Sequence, residues 1–150
     1  MARGDVTIFD EFVLDLGKKV HDLPNDDLAV ALVDDTITPT AADTSPTWSD
    51  YSANEVSGSG YTAGGESIGT ITWTVGSGVV ELAGDDVGWS ITVGGPTDCR
   101  WGIIVNKDAA SDQCIGFVDL GGTVSLEADD IDIEWNGGII YRHTANATPA

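Results

Sequence analysis

Residues 48–65 constrain the fold of this chain more than any other stretch. They read WSDYSANEVSGSGYTAGG, in which aromatic side chains bracket small and polar ones and four glycines fall within the last eight positions. The run has no apolar stripe at helical spacing, and glycine gives a backbone access to positive φ and to close approaches. We therefore predict a shaped turn region here, and we call residues 48–65 the turn block.

The rest of the chain has the pattern of many short strands joined by tight turns. Glycine accounts for 19 of 150 residues, about double the usual share of roughly 7%. Residues 28–33 form a short apolar run typical of a buried strand, and from residue 66 onward apolar segments alternate with glycine-rich turns. Asn136-Gly137 is the strongest short hairpin signal, which predicts that residues 131–135 pair with residues 138–142. Gly121-Gly122 predicts another turn.

These segments predict a mainly β protein, an antiparallel β-sandwich of jelly-roll or immunoglobulin-like type with about eight strands. Two packed sheets or a closed barrel bury both apolar faces of such strands, and the five tryptophans supply large core side chains. We expect one domain over residues 1–150. Within it we expect an N-terminal helical segment (1–25), an extended loop or arm (34–65) and a loose tail (143–150).

The single helix signal lies near the start of the chain. Apolar side chains share one face of a helix there, at Phe9, Phe12, Val13, Leu16 and Val20. Gly17 weakens the end of this helix and Pro24 stops it. His21 would lie at the helix end, where a positive charge favours the helix dipole.

The charge of the chain excludes several kinds of partner. Asp and Glu number 25 against 6 Lys and Arg, a net charge of −19. Such a surface repels phosphate groups, so we predict no nucleic-acid partner and no membrane partner. The sequence contains no apolar stretch of about 18 residues and no secretion signal pattern at its start.

The two cysteines are predicted to be free. If residues 107–112 form the loop of a hairpin, Cys114 faces Val105, and Cys99 pairs beyond Asp119. At about 3.3 Å per residue, the two Cα atoms are too far apart for a disulfide. We expect buried thiols, which is consistent with assembly in a reducing bacterial cytoplasm.

No catalytic or metal-binding pattern stands out, and we predict neither an enzyme nor a cofactor. Neither histidine, His21 or His143, lies near a Ser or Cys nucleophile in the sequence. Adjacent Asp pairs such as Asp85-Asp86 are typical turn formers, although a pair of carboxylates across a sugar cleft would suit a glycosidase. Asp130, Asp132 and Glu134 alternate along one segment, which predicts an acidic solvent face and leaves a calcium site as the alternative.

The turn block resembles part of a family of small virion structural proteins of tailed bacteriophages, described as head decoration, cement or head fiber proteins. The family pattern is W-S-D-x-S-A-N-E-V-S-G-x-G-Y-T-x-G-G. The resemblance extends over roughly residues 5 to 142 through segments 28–33, 85–89, 100–105, 115–122 and 133–141. It implies a non-enzymatic protein on the outer surface of the capsid, assembled in the host cytoplasm. Its partners would be the major capsid protein and itself, as a homotrimer.

The resemblance implies that this protein bridges capsid subunits and stabilises the shell. An alternative is a head-fiber or tail-surface module that binds a host glycan or protein, and a carbohydrate hydrolase is a third hypothesis. For the capsid or oligomer interface we expect contacts from the helix, from the loop 36–47 and from residues 48–61 of the turn block. The candidates are Phe9, Phe12, Thr38, Pro39, Trp48, Tyr51 and Tyr61. Ordinary core packing is the alternative for Phe9, Phe12, Trp48 and Tyr61.

Overall fold

The computed structural model describes residues 2–144, which form a mainly β protein with antiparallel sheets and two α-helices. The prediction of a mainly β, antiparallel fold is thus confirmed. The helices are α1 (Asp10–Gly17) and α2 (Trp48–Tyr51). The strands are β1 (Ala2–Arg3), β2 (Val6–Ile8), β3 (Leu28–Val33), β4 (Glu66–Ser67), β5 (Thr72–Gly76), β6 (Val79–Ala83), β7 (Val87–Trp89), β8 (Cys99–Asn106), β9 (Cys114–Val124), β10 (Ile131–Ile133) and β11 (Ile139–Thr144).

The largest sheet has five strands in the order β2-β9-β8-β3-β4, with every neighbouring pair antiparallel. All six residues of β3 are buried, which explains why its sequence, LAVALV, contains no polar side chain. β8 and β9 form the predicted hairpin around residues 107–113. Its register pairs Val105 with Cys114 and Cys99 with Val124, and both cysteines are free and buried, as expected.

Two three-stranded sheets complete the structure, in the orders β1-β10-β7 and β11-β6-β5. β1 runs parallel to β10, and the other pairs are antiparallel. Buried side chains from all three sheets join one hydrophobic cluster, for example Ile103 of β8, Ile131 of β10 and Leu82 of β6. No helix among residues 2–144 has both the length and the apolar character needed to cross a membrane.

The N-terminal segment contains less helix than predicted. α1 has eight residues, and β2 precedes it as an edge strand beside β9. Phe9 and Phe12 are fully buried as the helical pattern requires, but Val13 is 43% exposed. His21 lies beyond the helix end rather than at it. Residues 6–8 form a strand because β9 offers an unpaired edge there, which no local pattern can reveal.

Two turn predictions were wrong, one about which strands pair and one about the turn itself. Gly137 adopts positive φ, but the strands around it pair elsewhere, β10 with β7 and β1, and β11 with β6. Gly121 and Gly122 lie inside β9, within a bulge that opposes residues 120–123 to Arg100 alone. Glycine signals a change in backbone direction, but bulges and turns use the same conformations.

Residues 34–65 fold back against the large sheet. The backbone of Asn54 accepts a hydrogen bond from Asp34 N–H (3.0 Å), and Pro46 accepts one from Cys114 N–H (2.9 Å). These bonds make the segment part of the folded body instead of an extended arm. At the other end of the chain, His143 and Thr144 continue β11, and the rest of the predicted tail, 145–150, lies outside the described residues.

Candidate functional site

The turn block begins at the loop of the β8–β9 hairpin. Trp48 N–H donates a hydrogen bond to the carbonyl of Asp112 (2.9 Å), and Thr47 bridges to Gln113. Thr47 N–H also donates to the Asp50 carboxylate (2.9 Å), so that α2 starts with its first donors satisfied. Although the sequence predicted only turns here, these contacts support one turn of α-helix.

Glu55 organises the second half of the block. Its Oε1 atom accepts hydrogen bonds from the Tyr61 hydroxyl (2.8 Å) and from Gly64 N–H (2.6 Å). The Tyr61 oxygen accepts a further bond from Leu32 N–H of β3 (2.9 Å). Burial raises the pKa of Tyr61, and the Glu55 carboxylate raises it further against the lowering effect of the Leu32 N–H bond, so its hydroxyl stays protonated and donates. One carboxylate therefore ties the block to the central sheet.

Two glycines of the block lie directly against backbone. A Cβ on Gly65 would be 1.9 Å from the carbonyl oxygen of Val30, and Gly65 has φ +79°. A Cβ on Gly58 would be 2.7 Å from the carbonyl oxygen of Gly94. The close approaches that the glycine pattern indicated are therefore present at both ends of the glycine run.

Most of the predicted interface residues lie in the core of the protein. Phe9, Phe12, Pro39, Tyr51 and Tyr61 are buried, whereas Thr38 is exposed and Trp48 is half-buried. The structure brings Phe9 and Tyr51 together as a stacked pair with ring centroids 6.0 Å apart. Phe9, Phe12 and Tyr61 pack as the core-packing alternative proposed, and Pro39 and Tyr51 are buried as well. Of the seven candidates, only Thr38 and Trp48 remain available for contacts on the folded surface.

Phe12 belongs to a separate group around a buried asparagine. Its ring contacts His21, whose Nδ1 lies 2.9 Å from the amide nitrogen of Asn106. Burial lowers the pKa of His21 despite the nearby carboxylates of Asp15 and Asp26, which raise it. Asn106 also donates to Asp26 (2.6 Å). This group connects the start of the chain to the end of β8.

An exposed apolar loop, residues 90–95, lies next to the turn block. Ile91 is 53% exposed and Val93 is 92% exposed. Carboxylates fix the loop backbone, because Asp130 accepts from Ile91 N–H (2.7 Å) and Glu127 accepts from Gly94 N–H (2.7 Å). Ser59 N–H of the turn block donates to the carbonyl of Gly94 (2.8 Å). The loop thus presents two large apolar side chains from a fixed backbone within an acidic surface.

A cavity of about 270 Å³ opens between the two ends of the turn block and the β8–β9 hairpin. It is lined by Trp48, Gly64, Val105, Lys107 and Asp112, and we call it the indole cavity. A smaller cavity of about 190 Å³ is lined by residues that include Tyr51 and Asp43. The Tyr51 hydroxyl there donates to Asp43 (2.7 Å), which serves to hold the 34–65 segment.

The acidic pairs have structural contacts. Asp85 accepts from the Thr70 hydroxyl (2.8 Å), and Asp86 accepts from Trp135 N–H (2.9 Å). Within residues 2–144, no group of three or more His, Cys, Asp or Glu side chains is arranged to hold a metal ion. Burial raises the pKa of the Cys99 thiol to about 11 and raises that of Cys114 as well, which disfavours their reactive thiolate forms.

Comparison of the chain with protein-family models, with curated proteins and with solved structures found no match. The class of the protein therefore follows from its fold, a mainly β protein with antiparallel sheets.

Sequence reasoning missed Glu55, Lys107 and the pair Ile91 and Val93. Lys107 carried a usable signal, as one of only 6 basic residues in a chain with 25 acidic ones.

Proposed function

We propose that this protein is a non-enzymatic capsid decoration protein of a tailed bacteriophage. It would bind the outer face of the head and bridge subunits of the major capsid protein. The proposal starts from the family resemblance of the turn block. The observation that carries it further is the apolar loop, where Ile91 and Val93 project from a backbone fixed by Asp130 and Glu127.

A fixed apolar loop suits binding to a preformed shell. Burying a Val or Ile side chain contributes about 1.5–3 kcal/mol, and a backbone that is already ordered loses little entropy on binding. The carboxylates around the loop favour a partner with an apolar pocket rimmed by basic residues. The net charge of −19 would also keep many copies soluble near one another.

The proposal includes a β-sandwich architecture. The five-stranded sheet and the two three-stranded sheets contribute to one hydrophobic cluster, which supports packing of the large sheet on one side against the smaller sheets on the other. Such a scaffold would hold the loop rigidly.

The homotrimer also remains part of the proposal, because closed symmetry suits repeated sites on a shell. Light scattering at micromolar concentration tests the homotrimer, because it measures the mass of the particle in solution.

Co-sedimentation with purified capsid shells tests the proposal. We expect saturable binding at a fixed ratio to capsomers, which weakens as salt screens the acidic rim. Replacing both loop side chains (Ile91→Ser with Val93→Ser) should weaken binding about 100-fold, because two apolar contacts are lost.

Val75→Ser is the matched control, because Val75 is 72% exposed on β5, outside the loop. The Val75→Ser variant should bind shells as tightly as the original protein does. All variants should have the melting temperature of the original protein. Protein that stays in the supernatant at every salt concentration while the shells pellet would refute shell binding. Equal binding by the double variant would refute the role of the loop.

A further inference from the structure

The indole cavity has the features of a small-molecule binding site, and the proposed contact with the capsid shell does not involve it. Both ends of the turn block reach it, through Trp48 and Gly64, and the β8–β9 hairpin supplies Val105, Lys107 and Asp112. The backbone around it is fixed by the bond from Trp48 N–H to Asp112 (2.9 Å) and by that from Lys107 N–H to Asp27 (2.9 Å). The cavity is therefore formed before any ligand arrives.

Lys107 supplies an unpaired positive charge. Within residues 2–144, the ion pairs join Lys18 to Glu11, Arg100 to Asp119 and Arg142 to Glu81, and none involves Lys107. Its Nζ atom lies over Gly64, where a Cβ would be 3.5 Å away. The exposed Asp112 carboxylate lines the same cavity but forms no ion pair with Lys107 in the described part of the chain, so the ammonium group is available to an anionic ligand.

The remaining walls define the rest of the ligand. Trp48 and Val105 provide aromatic and aliphatic surface, and Asp112 provides an exposed carboxylate that accepts hydrogen bonds from hydroxyl groups. At about 270 Å³, the cavity is slightly smaller than the roughly 300–1,000 Å³ of sites for drug-sized molecules, so it suits one small ring. A saturated ring with an apolar C–H face, hydroxyl groups and one carboxylate matches these walls.

We propose that the indole cavity binds a carboxylated sugar, such as a hexuronic acid, free or at the end of a glycan. Its carboxylate would pair with Lys107, its ring would pack on Trp48, and its hydroxyls would donate to Asp112. This site lies apart from the apolar loop and does not depend on shell binding.

Titration of the full chain with glucuronic acid, followed by the indole N–H resonance of Trp48, tests the proposal. We expect saturable shifts with a Kd near 1 mM, a typical strength for one small polar ligand. Glucose, which lacks the carboxylate, should bind at least about tenfold more weakly. The methyl glycoside of glucuronic acid represents a glycan end. Saturation by it would assign the site to glycans, and saturation by the free acid alone would assign it to monosaccharides.

Lys107→Met keeps the aliphatic part of the side chain and removes the charge, and it should reduce glucuronate binding at least about tenfold. Lys19→Met is the matched control, because Lys19 also forms no ion pair with the described residues 2–144 and does not line the cavity. Equal binding of glucose and glucuronate, tighter binding of a free amino acid such as leucine, or unchanged binding by Lys107→Met would each refute the proposal. Lys107→Met should still bind shells, so failure here is separate from failure of the decoration proposal.

Discussion

Gly65 has no room for a side chain. The sequence indicated that glycines in the turn block would adopt positive φ, and Gly58, Gly60, Gly64 and Gly65 all do so. It could not indicate which of them contacts another strand. Only the packing of the block on β3 shows that a Cβ at residue 65 would overlap the carbonyl of Val30.

The neighbouring glycines provide a test at the residue scale. Gly65→Ala should lower the free energy of unfolding by about 3 kcal/mol or more, because β3 backbone must shift to admit the methyl group. Gly64→Ala should cost about 1–2 kcal/mol, since it adds only the strain of positive φ. Urea unfolding measures both. Equal losses in the two variants would contradict the close approach at residue 65.

Among the structural elements, the turn block depends on Glu55, which joins Tyr61, Gly64 and, through Tyr61, β3. Glu55→Ala should lower the free energy of unfolding by about 2–3 kcal/mol, because two donors lose their shared acceptor. Glu55→Gln keeps an acceptor oxygen and should lose about 1 kcal/mol or less. Thermal and urea unfolding of the two variants check this. An alanine variant as stable as the original protein would show that solvent replaces Glu55.

Turn signals succeeded where both strands of a hairpin had no better partner. Ser77 and Gly78, with φ of +53° and +79°, join β5 to β6 at one of the glycine-rich turns expected after residue 66. The stronger signal at Asn136-Gly137 made a turn without a hairpin, because β6 and β7 were available to β11 and β10. Local chemistry sets the turn, and competition between edges sets the pairing.

At the scale of the whole molecule, the net charge of −19 opposes compaction through self-repulsion. Raising NaCl from about 0.01 M to 0.15 M shortens the screening length from about 30 Å to about 8 Å. We expect the melting temperature at pH 7 to rise by about 3 °C or more, which corresponds to about 1 kcal/mol for a chain of this length. Calorimetry measures the shift.

The control is the same salt series near pH 4.1, the isoelectric point, where the net charge vanishes and the rise should vanish with it. A melting temperature that does not change with salt at pH 7 would show that the acidic side chains lie too far apart to repel one another significantly.

The sequence alone determined the features that depend on nearest neighbours along the chain. These are the β class, the buried strand β3, the pairing of Val105 with Cys114 in the β8–β9 hairpin with its free cysteines, and the need for glycine in the turn block. Tertiary structure decided the rest, because the contacts join distant residues. β1 pairs with β10, which lies about 130 residues away in the sequence. Trp48 and Lys107 are also distant in the sequence, and the fold brings both to the wall of the indole cavity. The burial of Phe9, Tyr51 and Tyr61 was decided in the same way, since a side chain's pattern shows that it is apolar but not which surface covers it.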